Sequence, residues 1–462
     1  MNVLLISANR EQTPYPVFPI GLSYLAGPLA AAGHRLEALD LCFERDPDQV
    51  ARKALERFQP GAVVISIRNI DNVTWPASRS YLTGIRGVVD ACRGKVPVIL
   101  GGSGFSIIPV EILDFLDGDY GVVGEGEEIV PAILAALEQG KRPGALPGLL
   151  ARGDTSFIHP LPLSRIGTPD RSLFLLERYN REGGMANLQT KRGCPFSCIY
   201  CTYPLLEGSR VRLRPIPEII REIRALVEKG GIDYIYFVDD IFNYPPEFAA
   251  HLCHAITEAQ LNIKWSAFIN PGFVDLSLLE AMVAAGCDAV EFGSESGSPV
   301  MLKNLGKSFG IEEIRNASLF CREIGVDFAH YILFGGPGES EATVRETFAF
   351  MDEVAPTAII AMTGIRIFPG TPLFHQALAE RVITPEVSLL EPVFYISPLI
   401  GDRLRLLVTE EALKRRNWIV PGLEINMSEA MLEVLRHFPV RGPLWKQLKR
   451  LGRSHLHPMS PR

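Results

Sequence analysis

The sequence predicts an α/β protein with an N-terminal doubly wound parallel sheet, a partial (β/α)6 barrel and a small, mostly helical C-terminal region. Two observations carry the fold. Short apolar, β-branched runs alternate with helical patterns over residues 1–142, the rhythm of a parallel sheet covered by helices on both faces. The alternation lapses over residues 143–184, rich in Pro, Gly, Arg and Ser, which read as a linker, and resumes over residues 185–385 as six strands each followed by a helix. A third observation marks the chemistry: Cys194, Cys198 and Cys201 follow the first strand of the second series. Residues 386–462 then read as a cap and tail.

In the first series the strands are expected at 3–7, 36–41, 62–67, 96–101 and 120–123, and the helices at 20–32, 49–58, 79–92 and 127–137. Open parallel sheets bind ligands at the carboxyl ends of their strands. Those ends carry Ser66, Arg68 and Asn69 after the third strand, Gly101, Gly102 and Ser103 after the fourth, and Gly124, Glu125 and Gly126 after the fifth. Glycines there let backbone approach a phosphate or a ring closely, although turn geometry alone also explains a single such loop.

In the second series the strands are expected at 186–190, 234–238, 264–268, 289–292, 327–334 and 358–367. The loop from Lys191 to Thr202 spaces its thiols as Cys-x-x-x-Cys-x-x-Cys. With 8 cysteines in 462 residues, that triple arises by chance about 0.002 times. A cubane iron-sulfur cluster takes four thiolates, so three on one loop leave one iron open. A structural zinc site needs a fourth ligand nearby, and neither Cys nor His follows within about forty residues.

This loop resembles the cluster motif of the radical S-adenosylmethionine (SAM) superfamily. The resemblance implies a 4Fe-4S cluster on Cys194, Cys198 and Cys201, SAM chelating the open iron, and Tyr200 beside the adenine. It further implies SAM contacts from Phe237 and Asp239 at the second strand end, Glu295 and Ser296 at the fourth, Lys307 toward the carboxylate, Gly335 at the fifth and Phe368 at the sixth. The first 140 residues, with Pro19-Ile20-Gly21, Gly33-His34, Gly101-Gly102 and Gly124-Glu125-Gly126-Glu127, resemble the cobalamin-binding domain that precedes the cluster in many such enzymes. One departure is plain. Where His-ligating cobalamin proteins carry Asp-x-His-x-x-Gly, Ser7 to Thr13 contain no histidine, and His34 reads as structural. Arg68 is then the residue expected nearest the corrin, unable to ligate cobalt; its alternative role is an ion pair with Asp71 or Glu125.

Net charge of −7 without a basic stripe argues against a nucleic-acid groove. No window of 18 apolar residues or basic leader appears, so no transmembrane segment and a cytoplasmic location are expected. Cys42, Cys92, Cys253, Cys287 and Cys321 read as buried hydrophobes. His251 and His254 read as a solvated helix face, and the six Lys or Arg of residues 441–462 as a solvated tail. The resemblance implies a methyltransferase in which cobalamin carries a methyl group from SAM to carbon or phosphorus of a small metabolite, lipid or peptide, with flavodoxin or ferredoxin as electron donor. Two alternatives stay open: a cobalamin-free radical SAM enzyme catalysing cyclisation, rearrangement or carbon-carbon bond formation, and a protein that senses SAM or redox state.

Overall fold

The computed structural model describes residues 1–160, 162–428, 430–432 and 441–448. Its first sheet contains β1 (Asn2–Ser7), β2 (Arg35–Asp40), β3 (Ala62–Ser66), β4 (Val98–Gly101), β5 (Tyr120–Val122) and β6 (Leu149–Ala151). Their order is β2-β1-β3-β4-β5-β6, parallel except for β6. Val3, Leu4, Leu5 and Ile6 are fully buried because helices cover both faces, and so β1 reads as an unbroken apolar run. The chain leaves β1 to one side for β2 and to the other for β3, so the switch point lies between β1 and β3. There the loops diverge and leave a crevice at the carboxyl ends. His34 sits at the opposite, amino end of β2, with Nδ1 3.3 Å from the Met1 amine.

The segment expected as a linker contributes more than connection. It supplies the edge strand β6 and the helix Leu176–Gly183, whose Tyr179 hydroxyl donates to Asp40 at 2.7 Å.

The second sheet contains β7 (Ala186–Leu188), β10 (Tyr234–Phe237), β11 (Lys264–Ile269), β12 (Cys287–Glu295), β13 (Asp327–Phe334), β14 (Ala358–Thr363) and β17 (Trp418–Ile419). All its pairings are parallel, in the order β17-β14-β13-β12-β11-β10-β7. Two short antiparallel ladders complete the set: β8 (Lys191–Arg192) with β9 (Arg212–Leu213), and β15 (Ile365–Arg366) with β16 (Phe394–Tyr395). The seventh parallel strand is a correction to the expected cap. Trp418 pairs with Ile359, and its ring stacks on Phe348 at 4.0 Å, so the aromatics there close the sheet edge.

Alternation sorts the barrel strands. Ile235, Phe237, Trp265, Ala267, Val290 and Phe292 pack under the outer helices, which leaves Tyr236, Phe268, Glu291 and Tyr331 facing inward. His251 and His254 are exposed on the helix Pro246–Glu258 while Cys253 between them is buried. Residues 449–462, most of the expected basic tail, lie outside the described residues.

The loop after β3 reaches across to the barrel. Thr363 Oγ1 donates to the Trp75 carbonyl at 3.0 Å, and Arg366 Nε donates to Asp71 Oδ2 at 2.9 Å. This last pair is sealed, with side chains 3% and 0% exposed. Removing one partner of a buried pair leaves the other charge without compensation, which costs about 3–5 kcal/mol. We expect Asp71→Asn, a near-isosteric change, to lower the unfolding free energy by about 3 kcal/mol or more, read as a shift in the denaturant midpoint.

Candidate cofactor-binding site

The carboxyl ends of both sheets meet at one cleft, and the cysteine loop lies between them. Its entry needs glycine: Gly193 has φ +94, and a Cβ there would lie 2.4 Å from the Arg210 carbonyl. Cys194 N donates to the Gly208 carbonyl at 3.1 Å and Cys201 N to the Cys198 carbonyl at 3.1 Å. Burial pushes the Cys194 thiol up to about 11 and the Cys201 thiol up to about 12. Their thiolates therefore need a metal's positive charge, the condition a cluster meets. The other five cysteines are free and buried, so the loop's own donor set is three thiols, the number that leaves one iron of a cluster open.

Tyr200, Glu295 and Lys307, far apart in sequence, come together beside it. The Tyr200 hydroxyl donates to Glu295 Oε1 at 2.7 Å, and Lys307 Nζ lies 3.4 Å from that oxygen and 3.4 Å from the Tyr200 hydroxyl. Glu295 holds φ +65, a left-handed backbone uncommon for a side chain of this type. Burial lowers the affinity of Lys307 for its proton, but Glu295 and the Cys198 sulfur together more than offset it and keep the ammonium charged.

The other expected SAM residues divide. Asp239 is consumed by the chain: its carboxylate accepts from Thr190 N at 2.6 Å, Thr190 Oγ1 at 2.5 Å and Lys191 N at 3.2 Å. The open acid is its neighbour. Asp240 Oδ2 is sealed from solvent and makes no hydrogen bond among the described residues, and it lines a small pocket with Lys191, Cys194, Pro195, Phe196 and Tyr244. Burial, then repulsion from Glu207 and Asp239, holds Asp240 well above the usual carboxylate range, so an incoming cation is what this pocket lacks. Ser296 faces away, its hydroxyl 2.9 Å from Thr347 Oγ1, and the Phe237 ring is core, against Phe242 and Trp265. Phe368 lies under the Arg366 guanidinium at 4.9 Å. Gly335, at φ +99, donates to Glu339 Oε2 at 3.0 Å.

Across the cleft, Gly102 has φ +100, and a Cβ there would meet the Ile67 carbonyl at 2.7 Å. Ser103 Oγ donates to the Arg68 carbonyl at 3.2 Å, so the ends of β3 and β4 close on each other beside Ser66 and Asn69. Arg68 is exposed there and forms no ion pair among the described residues. Its two expected partners are taken. Asp71 is held by Arg366, and Glu125, flanked by Gly124 and Gly126, turns to Arg192 and Arg212. Glu125, expected at the corrin, has both carboxylate oxygens engaged by these two arginines. The guanidinium of Arg68 lies close enough to the Tyr15 hydroxyl to favour its ionisation, although burial outweighs it and keeps the phenol protonated. Sequence reasoning missed Tyr15 and Asp240. Asp240 was legible as the second acid of Val238-Asp239-Asp240, but which of two adjacent acids is free depends on Thr190.

Residues 188–351 match the Radical SAM superfamily model and residues 6–134 the B12 binding domain model. The chain therefore carries a radical SAM domain with a B12 binding domain ahead of it. It is 27% identical over 444 residues to a tryptophan 2-C-methyltransferase of Streptomyces laurentii, spanning 81% of this chain and 74% of that one. It is 23% identical to a cytidylyl-2-hydroxyethylphosphonate methyltransferase of Streptomyces wedmorensis, over 84% of this chain and 83% of that one. Its fold follows that of the radical SAM methyltransferase TsrM from Kitasatospora setae, solved with cobalamin and a [4Fe-4S] cluster, with a TM-score of 0.87, 22% identity and 98% of each chain covered. No described helix is long and apolar enough to cross a membrane.

Glu339 gives this site a pH signature. Burial pushes its carboxyl up to about 7, opposed by hydrogen bonds from Thr343 Oγ1 at 2.8 Å and from Gly335 N. A carboxyl raised from 4.5 to about 7 contributes stability present below pH of about 4.5 and lost as pH rises through about 7, worth about 3 kcal/mol. We expect wild type to lose stability relative to Glu339→Gln between pH 5 and pH 8 (about 3 kcal/mol), measured by denaturant titration at each pH.

Proposed function

We propose that the chain is a cobalamin-dependent methyltransferase that methylates a carbon centre of a small molecule with an aromatic or otherwise apolar body. The observation that carries the reading is Arg68, an exposed arginine without an ion pair among the described residues, at the switch-point cleft opposite the cysteine loop. When bound, the cluster supplies an electron, SAM a methyl group or a radical, and cobalamin a methyl carrier. In this reading Cys194, Cys198 and Cys201 hold the cluster. Asp240 receives the SAM ammonium, and Lys307, charged and oriented by Glu295 and Tyr200, receives its carboxylate, a charge-assisted pairing. Arg68, which has no free lone pair, would face bound cobalamin without ligating it, and Ser66, Asn69, Gly101, Gly102 and Ser103 would line the same cofactor.

In this reading the substrate occupies the barrel lumen. Phe268 and Tyr331 pack there as a tilted pair with centroids 4.7 Å apart and planes at 57°, and Tyr15 enters from the first domain. Behind them Glu291, 1% exposed, accepts from Tyr236 at 2.8 Å and from Trp445 Nε1 at 2.7 Å, with Tyr331 as a third donor. The mid-strand residues facing this lumen, Tyr236, Phe268, Glu291 and Tyr331, are three aromatics and one acid, which suits a substrate with an aromatic or apolar body. The relative that methylates tryptophan at carbon is in keeping with this reading. The assignment divides the chain into a cobalamin domain at 1–142, a connecting segment at 143–184 that adds β6 to that domain's sheet, a barrel at 185–385 and a C-terminal region at 386–462 that adds β17 to the barrel sheet. It takes a flavodoxin or ferredoxin as electron donor, and eight free thiols suit a reducing cytoplasm.

The test is anaerobic protein supplied with iron and cobalamin, examined by visible spectroscopy and by metal content. Stoichiometric cobalt with corrin bands, and transfer of label from methyl-deuterated SAM to an aromatic substrate, are expected; a cluster without cobalt after loading would overturn the reading. Lys307→Ala is expected to weaken SAM binding about tenfold or more, as loss of a charge-assisted bond of roughly 1.5–3 kcal/mol predicts, with iron content unchanged, measured by equilibrium binding of SAM.

A further inference from the structure

The cysteine loop is closed at its base by β8 and β9, and there Arg192 and Arg212 are direct cross-strand partners. Like charges directly opposite on an antiparallel pair repel, and these side chains are buried, 8% and 10% exposed. One carboxylate reconciles them. Glu125 Oε1 accepts from Arg192 at 2.5 Å, and Glu125 Oε2 accepts from Arg212 at 2.8 Å and from Leu163 N at 2.6 Å. Glu127 adds a contact to Arg192 at 2.8 Å. Burial alone would lower the proton affinity of Arg192, and Glu127 and Glu125 more than offset it.

Glu125 belongs to the other sheet, on the loop after β5. From Arg192 a chain of bonds continues toward the first cysteine. Arg192 Nε donates to Gln189 Oε1 at 3.1 Å, Gln189 Nε2 to Glu207 Oε1 at 3.4 Å, and Gly193 N to Glu207 Oε2 at 3.0 Å. That last amide precedes Cys194. Arg212 Nη2 donates to the Glu207 carbonyl at 2.7 Å, so both arginines fix the residue that fixes Gly193.

We propose that Glu125 is the positioning residue of the cluster loop: a carboxylate of the cobalamin-binding domain that neutralises the cross-strand arginine pair and so sets where Cys194 stands. The inference takes its functional meaning from the cofactor reading above. The first domain then has two tasks, because the carboxylate that bridges the two arginines of the ladder comes from it, while the barrel's own Glu207 is engaged by the loop backbone at Gly193.

The test uses the full chain carrying its cofactors. Glu125→Gln keeps the shape and removes the charge. Amide hydrogen exchange in residues 191–194 and 208–213 is expected to quicken about tenfold or more, and the paramagnetic resonance of the reduced cluster to shift, with cobalt content unchanged. Glu125→Gln combined with Arg212→Met is expected to restore both, since one arginine no longer faces another; such coupling is what a double-mutant cycle reads. Unchanged exchange in Glu125→Gln, additive effects in the cycle, or loss of cobalt with an undisturbed cluster signal would overturn the proposal, the last by making Glu125 a corrin contact. Should Glu125→Gln fail to fold, an Arg212→Met background in which Glu125→Gln folds supports the proposal, and failure there also overturns it. Wild type that holds a cluster and no cobalt would defeat the methyltransferase reading while leaving the exchange cycle to decide on Glu125.

Discussion

Everything at the cleft depends on keeping buried cations compensated along the seam between the two sheets. Arg171, Arg192, Arg212 and Arg214 all lie there, answered by Glu222 at 2.8 Å from Arg171 and 2.7 Å from Arg214, and by Glu125 and Glu127. Tyr24, from the helix Ile20–Ala31 of the first domain, presents its ring to Arg192 at 4.6 Å and its hydroxyl to Arg214 at 3.3 Å. Arginine suits this duty because its planar fork bonds two partners at once and is weakly hydrated. A seam of this kind binds by charge and direction, and it therefore fixes orientation more sharply than an apolar face of equal area.

The site residues show how such a frame divides labour between adjacent positions. Asp239 and Asp240 are chemically alike and one residue apart, yet Thr190 and Lys191 take the first carboxylate and leave the second an oxygen without a donor. Ser296 turns to Thr347 while its neighbour Glu295, in a left-handed backbone, turns to Tyr200 and Lys307. At a strand's carboxyl end the alternation of faces assigns one residue to the core and the next to the cleft.

That alternation also explains what was legible in the sequence. The two strand-helix series and the three cysteines were readable because apolar periodicity and ligand spacing are local properties, and the family resemblance brought Tyr200, Glu295 and Lys307 into one group that the fold draws together. The role of Glu125 was not readable, since nothing near Gly124-Glu125-Gly126 announces arginines 67 and 87 residues further on. Nor was β17, a two-residue strand whose place is set by the ring of Trp418 on Phe348 and not by any pattern of its own. The run from 143 to 184 looked featureless because β6 is three residues long, too short for a periodic signal.

The floor of the barrel rests on Trp445, 4% exposed, whose indole donates to Glu291 while Lys446 pairs with Asp288 at 2.8 Å. These residues follow every strand of the barrel in the chain. The base of the barrel is thus the last part of it to be synthesised, and a chain cut short after β17 would leave the buried acid at the centre of the barrel without its indole donor.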